Sequence, residues 1–208
     1  MKQKTAGYSI WICSALFSLA IATGAWAADI HKLVEDCTHC HGKGGASTEP
    51  DVPIIGGYSA DYIFSSLTAL KNQERPCPET EYRSGDKKGT KTDMCQVVKD
   101  MSHSDIKQVA QYFSEQKFVR AKQKFDPELA KKGQEIHEKH CEKCHSNGAS
   151  AAKDDAGIQA GQHMAYLEQM CKEFLSGARP IPKKMKARLE QLDKESINAL
   201  INYYGSFQ

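Results

Sequence analysis

Three features are scarce in this chain of 208 residues: an excess of charge of one sign, long apolar runs beyond the N-terminus, and alternation of polar and apolar residues. The chain has 28 Lys and Arg against 26 Asp and Glu, and two of the lysines lie in residues 1–27, so the remainder is balanced. This balance makes nucleic acid a poor candidate partner. Because no later segment is apolar for long enough, we expect no membrane-spanning helix after residue 27. The scarce alternation predicts little sheet.

The N-terminal segment has the pattern of a secretory signal peptide. Lys2 and Lys4 precede an apolar run over residues 10–22, and the small-x-small sequence 25–27 follows it. This pattern predicts a signal peptide over residues 1–27 that is cleaved after Ala27. The apolar run is short for a membrane anchor. We therefore expect an exported, periplasmic protein in a compartment where disulfides form.

Two copies of one short motif, CxxCH, stand at residues 37–41 and 141–145. Two thiols one helical turn apart can each reach a vinyl group of one porphyrin, and the next imidazole can bind its iron. A thioredoxin-like redox pair and a zinc site are the alternatives, but neither needs a histidine directly after the second cysteine. We therefore predict two covalently bound haem c groups, with His41 and His145 as iron ligands. The attaching residues are then Cys37, Cys40, Cys141 and Cys144.

The chain repeats itself, once from each motif onward. With an offset of 104, Gly57 falls on Gly161 and Tyr62 on Tyr166; the first half then carries 13 extra residues, after which the offset is 91. Such self-similarity indicates a duplicated unit. We expect two domains, residues 28–120 and residues 121–208, each with one haem.

The repeat also singles out the second iron ligand. Some low-spin haems are held by a histidine on one face and a methionine thioether on the other. Met94 and Met185 occupy equivalent positions, whereas Met101 aligns with Leu192, which cannot bind iron. We predict that Met94 and Met185 are ligands and that the unpaired methionines fill gaps in the core.

Cys77 and Cys95 flank the 13-residue excess and have no equivalents in the second half. In an oxidising compartment a disulfide is the favoured interpretation, worth about 3 kcal/mol on the loop-entropy estimate. A metal site, a redox-active thiol pair or Cys95 as an axial ligand are the alternatives. Cys171 aligns with the apolar Leu67, so we expect a buried free thiol.

The local signals are helical and predict an all-α fold. Asp29 can cap a first helix, Asp126 followed by Pro127 is a typical helix start, and Ser102 with Asp105 resembles a capping box. The predicted helices span residues 30–37, 59–70, 102–115, 126–140, 163–175 and 193–204. Gly- and Pro-rich loops over residues 42–57 and 146–161 are expected to wrap the haem edges, with a linker over residues 117–125.

Tandem CxxCH motifs, each with a trailing methionine, a Gly-x4-Tyr segment and an Arg-Pro pair, resemble the di-haem class I cytochromes c. Residues 121–126, 140–145 and 179–185 are most similar to the cytochrome subunit of flavocytochrome c sulfide dehydrogenase, with cytochrome c4 as a near relative. The resemblance implies two tandem class I cytochrome c domains that transfer electrons and are not a catalyst by themselves. It also implies a flavoprotein sulfide dehydrogenase subunit or another redox protein as partner, and a small soluble acceptor or a terminal oxidase.

Two other functions stay open at this point. A free-standing carrier of the cytochrome c4 type would deliver electrons to a terminal oxidase. A di-haem enzyme would need an open or cysteine-ligated iron, which the equivalent methionines argue against and Cys95 keeps open.

Overall fold

The structure is a computed structural model that describes residues 30–208. The predicted signal peptide, its cleavage site and Asp29 lie outside these residues. The helices are α1 Glu35–His41, α2 Ala60–Lys71, α3 Met94–Val98, α4 His103–Ser114, α5 Pro127–His140, α6 Ser146–Ala149, α7 Met164–Leu175, α8 Lys183–Leu189 and α9 Lys194–Gly205, with 3-10 turns at Lys43–Gly45 and Ala152–Asp154. A helical turn over residues 30–33 precedes α1. The strands β1 Thr80–Glu81 and β2 Lys91–Thr92 pair antiparallel.

The helices pack into two lobes, one for each half of the chain. In the first lobe α2 lies against α4, and in the second α9 lies against α5 and α7. Phe113 is fully buried at the centre of the first apolar core, and Leu167 is 2% exposed in the second. Two modest cores of this kind are typical of domains that need a cofactor or a disulfide for stability.

The backbone confirms the internal repeat. Helices α2 and α7 are related by the offset of 104, and α4 and α9 by the offset of 91. Gly57 N–H donates to the carbonyl of Phe113, and Gly161 N–H donates to that of Tyr204, both at 2.8 Å. The two glycines have φ values of 81° and 83°, which side-chain-bearing residues rarely adopt. The same turn therefore fastens each haem-motif loop to the last helix of its lobe.

Sequence-predicted caps set several helix starts. Asp126 accepts hydrogen bonds from the N–H groups of Glu128 and Leu129, with Pro127 at the first helical position. Ser102 and Asp105 form both hydrogen bonds of a capping box at the start of α4. These contacts satisfy backbone N–H groups that have no partner within the helix.

The extra residues of the first half form a β-hairpin closed by a disulfide. Cys77 and Cys95 are bonded, with their Cα atoms 5.8 Å apart, and β1 and β2 lie between them. The predicted disulfide is confirmed. Its sulfurs are therefore unavailable as metal or haem ligands, although the Asp93 carboxylate lies within 4.8 Å of both.

A buried polar contact joins the two lobes. The Gln162 amide donates to the carbonyl of Ile54 and accepts from the N–H of Ile54, both at 2.9 Å. Its Nε2 also donates to Tyr58 Oη at 2.7 Å, and that hydroxyl donates to the carbonyl of Ile158. His163 Nε2 donates to the carbonyl of Ser47. Such satisfied buried networks fix one relative arrangement of packed units.

Within residues 30–208, no helix combines the length and apolar composition that a bilayer crossing requires.

Candidate haem sites

A deep cavity in the first lobe brings together all four ligating and attaching residues predicted for that half. Its volume is about 210 Å³. Apolar side chains from α2 and α4 form much of its wall, and Phe113 lies at one side. The four predicted residues that line it are Cys37, Cys40, His41 and Met94.

The imidazole of His41 is oriented by the loop that follows it. Its Nδ1 donates to the carbonyl of Pro53 at 2.8 Å, which leaves Nε2 as the free ring nitrogen. A metal-bound histidine commonly donates its other ring N–H to a backbone carbonyl, since this fixes the tautomer and ring plane. Burial lowers the pKa of His41, although the hydrogen bond to Pro53 opposes the shift. The ring is therefore neutral, which is the form that binds iron.

The cysteines of the first motif behave as thiols rather than thiolates. Burial, together with the charge of Asp36, raises the pKa of Cys37 to about 12, and burial also raises that of Cys40. Both sulfurs are therefore protonated in the cofactor-free protein.

Met94 is held at the cavity by its neighbours on both sides. It begins α3, which Asp93 caps by accepting from the N–H of Gln96 at 2.9 Å, and the next residue carries the disulfide. Val98, at the other end of α3, is 1% exposed. The helix is thus fixed at both ends, with Met94 among the residues that line the cavity.

The second motif is arranged differently from the first. Cys37 and Cys40 lie within α1, whereas α5 ends at His140 and residues 141–145 form a turn. The N–H groups of Cys144 and His145 both donate to the carbonyl of Cys141 at 3.0 Å. Cys141 is half-buried and Cys144 is exposed.

The other predicted residues of the second site are only partly buried. Burial lowers the pKa of His145, as does the nearby His137, so its imidazole is neutral. Met185 is half-buried on α8, a helix without a buried residue. Burial raises the pKa of the Cys141 thiol, while a hydrogen bond with Tyr204 and the charge of Arg188 oppose it.

Comparisons with known proteins agree with this geometry. The sequence profile of the family described as cytochrome C oxidase, cbb3-type, subunit III, matches residues 128–203. Cytochrome c-554(548) of Halomonas halodenitrificans is 33% identical over 81 residues, 38% of this chain and 83% of that protein. Cytochrome c4 of Stutzerimonas stutzeri is 29% identical, over 91% of this chain and 96% of the relative. The chain belongs to the di-haem class I cytochromes c. It therefore carries two covalently bound haem c groups and transfers electrons.

The solved structures give the same architecture. Reduced recombinant cytochrome c4 from Pseudomonas stutzeri superposes with a TM-score of 0.69 and 26% identity, covering 88% of this chain and 98% of that one. The predicted all-α fold of two tandem cytochrome c domains is thereby confirmed.

Two arginines of this cytochrome, Arg75 (half-buried) and Arg179 (buried), fit the acidic groups of haem. Arg75 lines the first cavity, and its Nε is buried without a hydrogen-bond partner among the described residues. Arg179, its equivalent in the second half, is 6% exposed; its Nη1 has no partner in residues 30–208 either. Unpaired guanidinium nitrogens are costly when buried and bind carboxylates well. Haem propionates are carboxylates of the required kind, so both arginines could hold them.

Each domain of the cytochrome contributes to the surroundings of the other. Tyr166, Gln169 and Glu173, all on α7 of the second half, line the cavity of the first. In the opposite direction, Arg179 Nη2 donates to Tyr62 Oη at 3.4 Å. The sequence repeat marked the tyrosines and arginines as equivalent pairs, but no local pattern predicted that they would meet across the domain boundary.

Two histidines outside the CxxCH motifs, His137 and His163, are buried. His137 Nε2 donates to the Glu142 carboxylate at 2.6 Å, and its Nδ1 lies 3.0 Å from Tyr204 Oη. His163 contacts the first domain through Ser47. Cys171 is a free thiol as expected, but it is only half-buried; burial and the nearby Cys141 raise its pKa to about 11.

Proposed function

We propose that this cytochrome is a periplasmic carrier of the cytochrome c4 type, which relays single electrons between a donor and a soluble acceptor or terminal oxidase. One haem is attached to Cys37 and Cys40, with His41 and Met94 as iron ligands. The other is attached through the equivalent residues Cys141, Cys144, His145 and Met185. The domains span residues 28–120 and 121–208, once residues 1–27 have been removed.

The single observation that carries the proposal is the convergence of Cys37, Cys40, His41 and Met94 on one cavity. Met94 is 53 positions from His41 in the sequence, so their meeting is a property of the fold. The bound cofactor supplies a one-electron iron couple, whose potential depends on its ligands and burial. His41 and Met94 would both hold the iron, and a doubly ligated iron would leave no position for a substrate.

The chain's own residues favour small structural change during electron transfer. The Pro53 carbonyl fixes the plane of His41, and the disulfide fixes the helix that carries Met94. The Gln162 network holds the two domains together. Rigid ligands and a fixed separation between haems suit a protein in which only the charge of the iron changes.

Two versions of this function follow from the sequence, and they differ in the electron donor. A sulfide-oxidising flavoprotein is supported by the resemblance of residues 121–126, 140–145 and 179–185 to its cytochrome subunit. A free-standing carrier is supported by the cytochrome c4 relatives, which match over nearly their whole length. We propose the free-standing carrier, because the cytochrome c4 relatives match both domains. Co-purification from the native host separates them: a flavin-containing partner of larger mass supports the first and a lone cytochrome the second.

The haem assignment is tested by counting covalently attached haems. The protein is produced in a host that matures c-type cytochromes, and its mass is measured under denaturing conditions. The wild type should carry two haems, and Cys37→Ala/Cys40→Ala and Cys141→Ala/Cys144→Ala should each carry one. Cys171→Ala, a matched control, should keep both. A wild-type chain with fewer than two attached haems would overturn the proposal.

A further inference from the structure

The disulfide-closed hairpin, residues 78–93, covers the attachment side of the first haem site. The N–H of Arg83 and the hydroxyl of Ser84 both donate to the carbonyl of His39, at 3.1 and 3.0 Å. Lys87 pairs with Asp36 on α1 at 2.7 Å. The hairpin also comes within 3.8 Å of the attaching sulfur, because the carbonyl of Glu81 lies that close to Cys40 Sγ.

The hairpin fits closely against α1. A side chain at Gly85 would lie 2.2 Å from His39 Nε2, so only a glycine allows this approach. Tyr82 is 7% exposed and meets the His39 ring edge to face. Thr80 and Thr92, from the two strands, line the cavity itself. The hairpin is therefore a fixed wall of the first site.

The second domain has no such cover. The second half lacks the residues that form the hairpin in the first, so the offset between equivalent residues falls from 104 to 91 after Arg179. Cys144, the equivalent of the covered Cys40, is exposed. Lys143, the equivalent of His39, is exposed as well. The same edge that is closed in the first domain is open to solvent in the second.

In the second domain, positive charge is concentrated on α8, the counterpart by sequence of the helix that lines the first cavity. Four of the seven residues of this helix are basic and none is acidic; all four are exposed: Lys183, Lys184, Lys186 and Arg188. Lys186 has Glu190 at 3.7 Å. For the other three, no carboxylate of residues 30–208 lies within 4.0 Å. The equivalents of these four in the first domain are Thr92, Asp93, Cys95 and Val97, none of them basic.

We propose that external electron exchange takes place at the second domain, where α8 docks a soluble one-electron carrier protein with an acidic face. The first haem exchanges electrons only through the second, because the hairpin closes its edge. This inference rests on the proposed function, and it adds the port and the chemistry of the partner. Complementary charge at the rim of an interface mainly raises the association rate and makes it depend on salt.

The first test neutralises the basic helix. Ferric Lys183→Gln/Lys184→Gln/Arg188→Gln is mixed with reduced flavodoxin, an acidic one-electron carrier, in a stopped-flow instrument. The second-order rate constant should fall about ten-fold at low ionic strength, and the difference should shrink above about 0.5 M salt. The matched control, Lys88→Gln/Lys99→Gln/Lys107→Gln, removes the same charge from exposed positions of the first domain and should change the rate less than about two-fold. Equal effects of the two triple variants would overturn the inference.

The second test concerns the hairpin and uses the complete protein. In the wild type, reduction by flavodoxin should show one phase that depends on flavodoxin concentration and one that does not. Replacing residues 82–90 with Asn-Gly keeps the pairing of β1 with β2 and the disulfide, but removes the segment that contacts α1. In this variant both phases should depend on flavodoxin concentration. Concentration dependence of both phases in the wild type would refute a closed first site.

The two levels of the hypothesis can fail separately. If the purified chain carries two haems that dithionite reduces fully, the electron-transfer assignment stands whatever the variants do. If the basic helix and the hairpin then have no effect on flavodoxin kinetics, only the docking inference is refuted.

Discussion

Replacing both Cys77 and Cys95 by serine should lower the free energy of unfolding of the first domain by about 3 kcal/mol. The two cysteines are 18 residues apart in the sequence, and they close the loop that contains the hairpin. In the loop-entropy description, the bond restricts the unfolded chain by an entropy of about 2.1 + 1.5R ln 18 cal/mol/K, or about 11 cal/mol/K. At 298 K this entropy corresponds to about 3 kcal/mol. For a domain of this size the midpoint of thermal unfolding should then fall by about 10 °C or more.

The measurement is thermal and guanidinium unfolding of the haem-loaded protein, followed by circular dichroism and by haem absorbance. Cys171→Ser is the matched control, since it removes a thiol that is free and only half-buried; its effect should stay below about 1 kcal/mol. Wild-type protein treated with a reductant should approach the double variant. A loss no larger than that of the control, in protein that retains both haems, would refute the entropic reasoning and with it the structural role of the hairpin closure.

Three further outcomes are expected. Met94→Ala should let the reduced first haem bind carbon monoxide and weaken the red-end absorption band of Met-ligated ferric haem, whereas Met101→Ala should do neither; unchanged spectra would exclude ligation by Met94. Gln162→Met should destabilise the protein by about 2–4 kcal/mol, because it leaves buried backbone and hydroxyl groups at the domain contact without partners. The free energy of unfolding is measured with denaturant, and a loss smaller than this would contradict the role of that contact. Hydrogen bonds with Ser102 lower the pKa of Asp105 from 3.8, so its stabilisation is complete above that value and is lost as the pH falls through the lower, folded-state value. Asp105→Asn should therefore be less stable than wild type at pH 7 and equally stable in strong acid, as unfolding across pH would reveal.

Much of the fold could be predicted because its signals are local. Helix α5 begins where Asp126 and Pro127 indicate, since an N-cap depends on residues within three positions. The duplication needed only a comparison of the two halves, and the equivalent hydrogen bonds at Gly57 and Gly161 confirm it. The disulfide followed from the predicted export to an oxidising compartment and from the absence of equivalents for its cysteines in the other half.

The two candidate sites differ in how far the sequence predicted them. The equivalence of Met94 and Met185 suggested symmetric sites. In the structure α3 is fixed by a disulfide and a buried valine, whereas α8 has no buried residue. The motif itself is helical in the first domain and a turn in the second. Equal motifs thus have unequal surroundings, which depend on packing rather than on spacing.

The sequence by itself predicted the chemistry of this protein, namely which sulfurs would attach haem and which imidazoles would face iron, and it showed that the unit occurs twice. Each depends on residues a few positions apart or on direct comparison of the halves. Only the tertiary structure decided what covers each site and what joins them. The Gln162 contact with Ile54 spans 108 positions, and that of His163 with Ser47 spans 116. Contacts over such separations depend on how packed surfaces meet, and no short sequence pattern encodes that.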